Sequence, residues 1–305
     1  MSKGLIEAIL LLSGLAAVLG TAAWLLLKRP LALLAWGTRR SLLATGLKKL
    51  VVPTPAGPQT VFVGGTGPVL VLLHGAGDHA GTWAQAAKAL AKDHTLVIPD
   101  LAGHGDSAPA TGPIDTAQIY AGLEAVLSSQ APGQAVTLVG NSLGAWMAMV
   151  VAQRHPDRVA KVVAVNGGPL LGTNTKVCLL PTNREEARAT MAQLRDASSP
   201  ALPGTVLDDL VRLTQTGPLA RFSATAMTMG PWLLTEDQLR ALHTPVRLVW
   251  GTSDQLMPLV YAQRMVAALT DVALIPIERC GHVPQQEAPA RFLAALRQAL
   301  GDAPQ

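Results

Sequence analysis

Residues 135–144, Ala-Val-Thr-Leu-Val-Gly-Asn-Ser-Leu-Gly, carry an apolar, β-branched run through a Gly-x-Ser-x-Gly turn into an Ala/Met-rich helical run. That order reads as strand, tight turn, helix. A serine placed in such a turn sits on strained backbone at the end of a strand, and small residues on either side let two backbones pass closely. Gly140 and Gly144 supply that room. A helix starting near Leu143 aims unbonded N–H groups and the positive end of its dipole at the space in front of Ser142, where a negative oxygen would develop. Ser142 is therefore the candidate nucleophile. Gly-x-Ser-x-Gly also arises in ordinary turns of Gly-rich chains, so the remaining sequence has to carry the assignment.

Apolar strands alternate with helical stretches on both sides of this turn. Thr60–Val63 and Val69–Leu73 read as strands, the second running into His74-Gly75-Ala76-Gly77. A helix over Thr82–Ala91, a strand over Thr95–Ile98, a Gly103-His104-Gly105-Asp106-Ser107 loop and a helix over Thr116–Leu127 follow. Beyond the turn come a helix to His155, a strand over Val159–Val165, and strands at Pro245–Trp250 and Val272–Ile275. These end in Gly251-Thr252-Ser253-Asp254 and, shortly after, Cys280-Gly281-His282. Such alternation predicts a mostly parallel, doubly wound α/β sheet whose ligands lie at the C-terminal ends of the strands. Between about 170 and 243 no strong strand signal occurs. Helical pieces capped at Thr182 or Asn183, and over Val206–Leu213, predict an inserted helical cap.

The front of the chain differs from the rest. Ala8–Leu27 is twenty residues without a charge, a helix of roughly 30 Å, which matches a bilayer's hydrocarbon core. A membrane anchor is the first reading, with a cleaved signal peptide or a buried core helix as alternatives. Residues 1–50 hold seven Lys/Arg and one acid, whereas the remaining 255 hold 17 Lys/Arg and 19 acids. The body is thus close to neutral, which excludes a nucleic-acid-binding domain. Basic residues after the span outnumber those before it, so a cytoplasmic catalytic domain is expected. Thr38–Leu50, with its Arg39-Arg40 and Lys48-Lys49 pairs, reads as a basic amphipathic helix on lipid or packed on the body. Pro53, Pro55, Gly57 and Pro58 mark a break, dividing the chain into an anchor with juxtamembrane segment at 1–50 and a catalytic domain at 51–305. Cys178 and Cys280 lack metal-ligand spacing, and neither a metal site nor a cofactor is indicated.

Taken together, the His-Gly loop at 74–75, Gly-His-Gly-x-Ser at 103–107, Gly-Asn-Ser-Leu-Gly at 140–144, Trp-Gly-x-x-Asp at 250–254 and Gly-His at 281–282 resemble the α/β-hydrolase superfamily over roughly residues 58–300. The order Ser142, Asp254, His282 matches that fold's nucleophile, acid and base. His282 would take the serine proton, and Asp254 would fix its tautomer. By the family pattern the N–H groups of Ala76 and Leu143 form the oxyanion hole, with Gly77 a substitute. His74, His104, Asp100 and Ser107 resemble loop-shaping residues. The resemblance implies a serine esterase or lipase, and the N-terminal span and apolar cap look most like membrane-anchored monoacylglycerol-type lipases acting on a lipid or small-molecule ester. A carbon–carbon bond hydrolase of ring-cleavage products and a catalytically silent, membrane-tethered binding protein are the alternatives.

Overall fold

The structure, a computed structural model, describes residues 3–172 and 176–301, apart from the side chains of Ala8 and Leu26. Its strands are β1 (Lys48–Val52), β2 (Gln59–Gly65), β3 (Val69–Leu73), β4 (Thr95–Pro99), β5 (Val136–Asn141), β6 (Val159–Val165), β7 (Val246–Gly251) and β8 (Val272–Ile277). They form one eight-stranded sheet in the order β1-β2-β4-β3-β5-β6-β7-β8. From β4 to β8 every neighbouring pair is parallel, while β1–β2 and β2–β4 are antiparallel. The helices are α1 (Lys3–Lys28), α2 (Pro30–Ala44), α3 (Ala84–Leu90), α4 (Thr116–Gln130), α5 (Leu143–Arg154), α6 (Arg184–Leu194), α7 (Gly204–Thr216), α8 (Pro218–Ser223), α9 (Glu236–Arg240), α10 (Leu259–Ala268), α11 (Pro284–Glu287) and α12 (Pro289–Leu300).

The alternation of side chains along the strands builds two apolar layers. Val71, Leu73, Leu138, Val162, Ala164 and Leu248 face α4, α5 and α10. Leu70, Leu72, Val139, Val163, Val165 and Val249 face α2, α3 and α12. Both faces of the central strands are covered, which is why their sequences are nearly continuous Val/Leu runs without polar alternation. Between β6 and β7 the chain leaves the sheet for α6 to α9. Among the described residues of this cap the β contact is one isolated bridge, Leu170 to Leu234, and residues 173–175 of the stretch lie outside the described residues.

The basic stretch Thr38–Leu50 is not one helix, contrary to its sequence pattern. α2 ends at Ala44, Gly46 takes a φ of 92°, and β1 pairs with β2 so that Lys48 lies opposite Val63 and Val52 opposite Gln59. A glycine in the left-handed region stops a helix without the Cβ penalty, and the β2 edge offers β1 backbone partners that a surface helix would not use. The sheet therefore begins ahead of residue 50, the boundary expected between anchor and catalytic domain. Arg39 pairs with Asp100 and Asp106, and Lys49 with Asp106, so two of the charges expected to meet lipid meet acids of the body. α1 is different: over Lys3–Leu25 it has a mean hydropathy of 2.1 and none of it is buried.

Candidate active site

The turn after β5 has the strained geometry its sequence predicts. Ser142 adopts φ 54° and ψ −115°, a region costly for any residue with a Cβ and held only where the surroundings over-determine it. Those surroundings are specific. The Ser142 N–H donates to the Val165 carbonyl at 2.9 Å, and a Cβ on Gly140 would lie 2.1 Å from the Gly144 carbonyl carbon. Asn141 beneath it is buried, and its Nδ2 donates to the carbonyls of Val165 at 3.1 Å and His282 at 3.0 Å. Gln285 Nε2 donates to Asn141 Oδ1 at 3.2 Å. One amide thus ties the serine turn to β6 and to the loop carrying His282.

Asp254 and His282 follow β7 and β8 and are almost fully buried. His282 Nδ1 lies 2.7 Å from Asp254 Oδ2, and because an ionised carboxylate only accepts, Nδ1 carries the hydrogen and Nε2 is left as the basic nitrogen. Asp254 Oδ1 accepts from the N–H groups of Leu256 at 2.9 Å and Met257 at 3.0 Å. Among the described residues the Ser142 hydroxyl makes no hydrogen bond. No hydrogen bond engages the N–H of Ala76 or of Leu143 among the described residues. The 74–77 loop packs directly on the serine, since a Cβ on Gly75 would stand 3.3 Å from that of Ser142.

Neighbouring polar groups have other tasks. His74 Nδ1 donates to the Gly75 carbonyl at 2.8 Å and its Nε2 accepts from Leu101 N–H at 2.9 Å, so neither nitrogen can serve as a base. Burial and the adjacent His104 hold its pKa well below the ordinary value. Asp100, fully buried, accepts from the N–H groups of Ala80 at 2.7 Å and Asp106 at 2.9 Å, and Ser107 donates to the Asp100 carbonyl at 2.7 Å. These four residues shape the two loops flanking the site. Cys280 is a free thiol whose pKa burial and the charge of Glu287 push up to about 12, so it stays protonated.

The cap contributes more than a roof. The Leu194 carbonyl at the end of α6 accepts the His282 N–H at 2.8 Å, and the Gln193 carbonyl that of Gln255 at 3.0 Å. Glu287 receives the N–H groups of Gly281 at 2.6 Å and Asp196 at 2.8 Å, and Asp196 receives the Ser253 hydroxyl at 2.5 Å. The Asp254 and His282 loops are both bonded to the cap. Phe222 is buried, and Met229 and Trp232 pack against the core, with Trp146 Nε1 donating to the Trp232 carbonyl at 2.7 Å. Met227, apolar like them in the sequence, is instead 96% exposed. Sequence reasoning passed over Asn141, Asn166, Asp196 and Glu287. The two asparagines had a signal, as polar residues closing parallel strands, whereas the acids act on loops 57 and 91 residues away.

A sequence profile described as the Alpha/beta hydrolase family matches residues 70–295. Among characterised relatives, pimeloyl acyl-carrier-protein methyl ester esterase of Aromatoleum aromaticum is 32% identical over 236 residues, covering 71% of this chain and 92% of its own. A 2-hydroxy-6-oxononadienedioate/2-hydroxy-6-oxononatrienedioate hydrolase of Burkholderia vietnamiensis is 30% identical over 254 residues, covering 75% of this chain and 85% of its own. The fold superposes on a membrane phospholipase A described as a bacterial virulence factor, with a TM-score of 0.74, 23% identity, and 95% of this chain and 97% of the other covered. With the profile spanning most of the chain over a mostly parallel eight-stranded sheet, the protein belongs to the α/β-hydrolase family and is a hydrolase.

Proposed function

We propose that the protein is a membrane-anchored serine hydrolase that cleaves carboxylic esters with lipophilic acyl chains through an acyl-Ser142 intermediate. The observation that carries this reading is the 2.7 Å bond from His282 Nδ1 to Asp254 beside a serine held at φ 54°. His282 Nε2 takes the Ser142 proton as Oγ attacks the ester carbonyl, and Asp254 stabilises the imidazolium that results. The N–H groups of Ala76 and Leu143 receive the developing oxyanion, a contribution typically worth ~10²–10³ in kcat for one donor. His282 returns the proton to the leaving alcohol, and water then cleaves the acyl-enzyme by the same route.

The lipophilic part of the reading has separate support. α1 is long and apolar enough to cross a membrane and has no buried residue among those described, and the basic residues that follow it favour a cytoplasmic catalytic domain. Residues 51–305 then form the catalytic domain, with β1 starting just ahead of it at Lys48. Phe222, Met229 and Trp232 give the cap apolar side chains that pack on the core. The relative that hydrolyses a methyl ester and the structural likeness to a membrane phospholipase A point the same way. The relative that hydrolyses a ring-cleavage product makes carbon–carbon hydrolysis the competing outcome.

The test is kcat/KM over p-nitrophenyl esters of rising chain length. Each buried methylene contributes up to about 0.8 kcal/mol, close to fourfold, so the octanoyl ester should exceed the acetyl ester by at least about tenfold. A flat or falling series rejects lipophilic-ester hydrolysis, and turnover of a compact dienoate in its place would select carbon–carbon hydrolysis. Ser142→Ala should abolish labelling by a fluorophosphonate, and labelling that persists at another serine rejects the nucleophile.

A further inference from the structure

The carboxylate of Asp254 has a partner from a third strand. Asn166, fully buried, closes β6 at φ 43°, and its Nδ2 lies 2.8 Å from Asp254 Oδ2, the same oxygen that faces His282 Nδ1. The orientation of its amide is fixed by its other end. The Gly251 N–H, 2.9 Å away, can only donate, so the atom it meets is Oδ1 and the NH₂ group faces the carboxylate. Asp254 therefore accepts four hydrogen bonds, from Asn166, His282, Leu256 and Met257. Asn166 also accepts from Gly251, where the chain leaves β7 toward Asp254. Few residues fit this place: asparagine tolerates the left-handed backbone, whereas a branched or bulky side chain does not.

We infer that Asn166 is a positioning residue for hydrolysis, holding Asp254 Oδ2 toward His282 and spreading its negative charge over a second donor. This rests on the reading of Asp254 and His282 as acid and base. Without the amide the carboxylate can turn away from Nδ1, whereas a second carboxylate in the amide's place would add negative charge beside the imidazole and favour its protonated form. The base must be unprotonated to act, so activity would be lost from the acid side at a higher pH. The other charged groups on the loops around the pair are Glu278 and Arg279, which precede His282, Arg195 and Asp196 of the cap, the latter receiving the Ser253 hydroxyl, and Glu287, which receives the Gly281 N–H. Together with the Cys280 thiol they stay in place in the variants below, so a displaced profile belongs to Asn166.

The experiment measures kcat, KM and the pH profile of kcat/KM on an activated ester for the full chain and for Asn166→Gly, Asn166→Asp and Asp254→Asn. Glycine keeps the backbone conformation and removes all three side-chain bonds, the one from Nδ2 to the Gly251 carbonyl at 3.4 Å included; aspartate keeps the acceptor for Gly251 and replaces the donor by a like charge. Asn166→Gly should lower kcat about tenfold to a hundredfold with KM nearly unchanged, as for loss of a group that orients a catalytic ligand. Asn166→Asp should move the midpoint of the acid limb upward by about one pH unit. If the folded variants keep kcat within about twofold and an unmoved profile while Asp254→Asn is inactive, the role of Asn166 is overturned and the acid–base pair stands. If Asp254→Asn also turns over normally, the acid–base reading itself fails and this inference with it. Should Asn166→Gly not fold, Asn166→Asp alone decides by the same criteria.

Discussion

Single side chains in this protein are read by what their hydrogen bonds leave them able to do. His104 shows this well, sitting in a loop beside the site with its Nδ1 donating to the Ala102 carbonyl at 2.9 Å. Burial, reinforced by the Arg221 guanidinium and opposed by that carbonyl, brings its pKa down from 6.5 to about 4. The imidazole stays neutral in the fold, while in the unfolded chain it titrates near 6.5. Between those values the unfolded state binds a proton the folded state refuses, so the stability is complete above about pH 6.5 and is lost as pH falls toward 4. The contribution at stake is on the order of 3 kcal/mol, and His74, lowered in the same direction, adds to the slope. Urea unfolding at pH 7 and pH 4.5 should show this loss in the native sequence and a smaller one in His104→Gln; equal losses would place the acid sensitivity elsewhere. Both histidines were legible as loop-shaping residues because the Gly-flanked motifs set them apart. Which nitrogen carries the hydrogen was not, since the acceptor belongs to the folded loop.

At the scale of elements, the junctions carry most of what the sequence leaves out. Long, periodic segments were readable: α6 begins where Asn183 caps it, its side chain accepting the Glu186 N–H at 3.0 Å, and α4 covers the expected Thr116–Leu127. How α2 is held was not readable. The Asp209 carboxylate on cap helix α7 is fully buried and accepts the Leu31 N–H at 3.0 Å in the first turn of α2, while Arg212 lies 2.7 Å away. An acid at a helix N-terminus satisfies a donor the helix cannot and suits its dipole. On the inner side of α2, Leu42 is buried beside Trp83, and Arg39 reaches Asp100, the residue that fixes the loop after Ala80. α2 therefore joins the anchor to the cap and to the loop beside the serine. Asp209→Ala leaves Leu31 N–H and Arg212 without this partner and should cost about 1–3 kcal/mol, read as a lower thermal midpoint with hydrolase kcat near normal. An unchanged midpoint would mean that water replaces the carboxylate.

At the scale of the whole molecule, the apolar N-terminal helix and the hydrolase body meet at α2 and β1. None of the described residues of α1 is buried, whereas α2 packs on the body and β1 fills the β2 edge. Removing residues 1–28 should therefore move the protein from the detergent-extracted to the soluble fraction with its activity kept. Removing residues 1–52 should give aggregated protein, because it uncovers Phe62, Trp83 and the unpaired edge of β2. Soluble, active enzyme from the longer deletion would show the juxtamembrane helix and β1 to be dispensable. The sequence by itself determined the alternation of strands and helices, the strained serine turn, the place of the cap and the apolar span. Each of these is written in local periodicity, in glycines required by close backbones, or in a run of uncharged residues. It also placed Ser142, Asp254 and His282 as candidates, because residues that close parallel strands meet at one end of a sheet. Only the tertiary structure decided that Lys48–Val52 is a strand, since that choice depends on the free edge of β2, and that Met227 faces outward while Phe222 is buried. It alone brought Asn166 to Asp254 and Leu194 to His282, because a carbonyl or amide acquires a partner 88 residues away only when packing has fixed both ends.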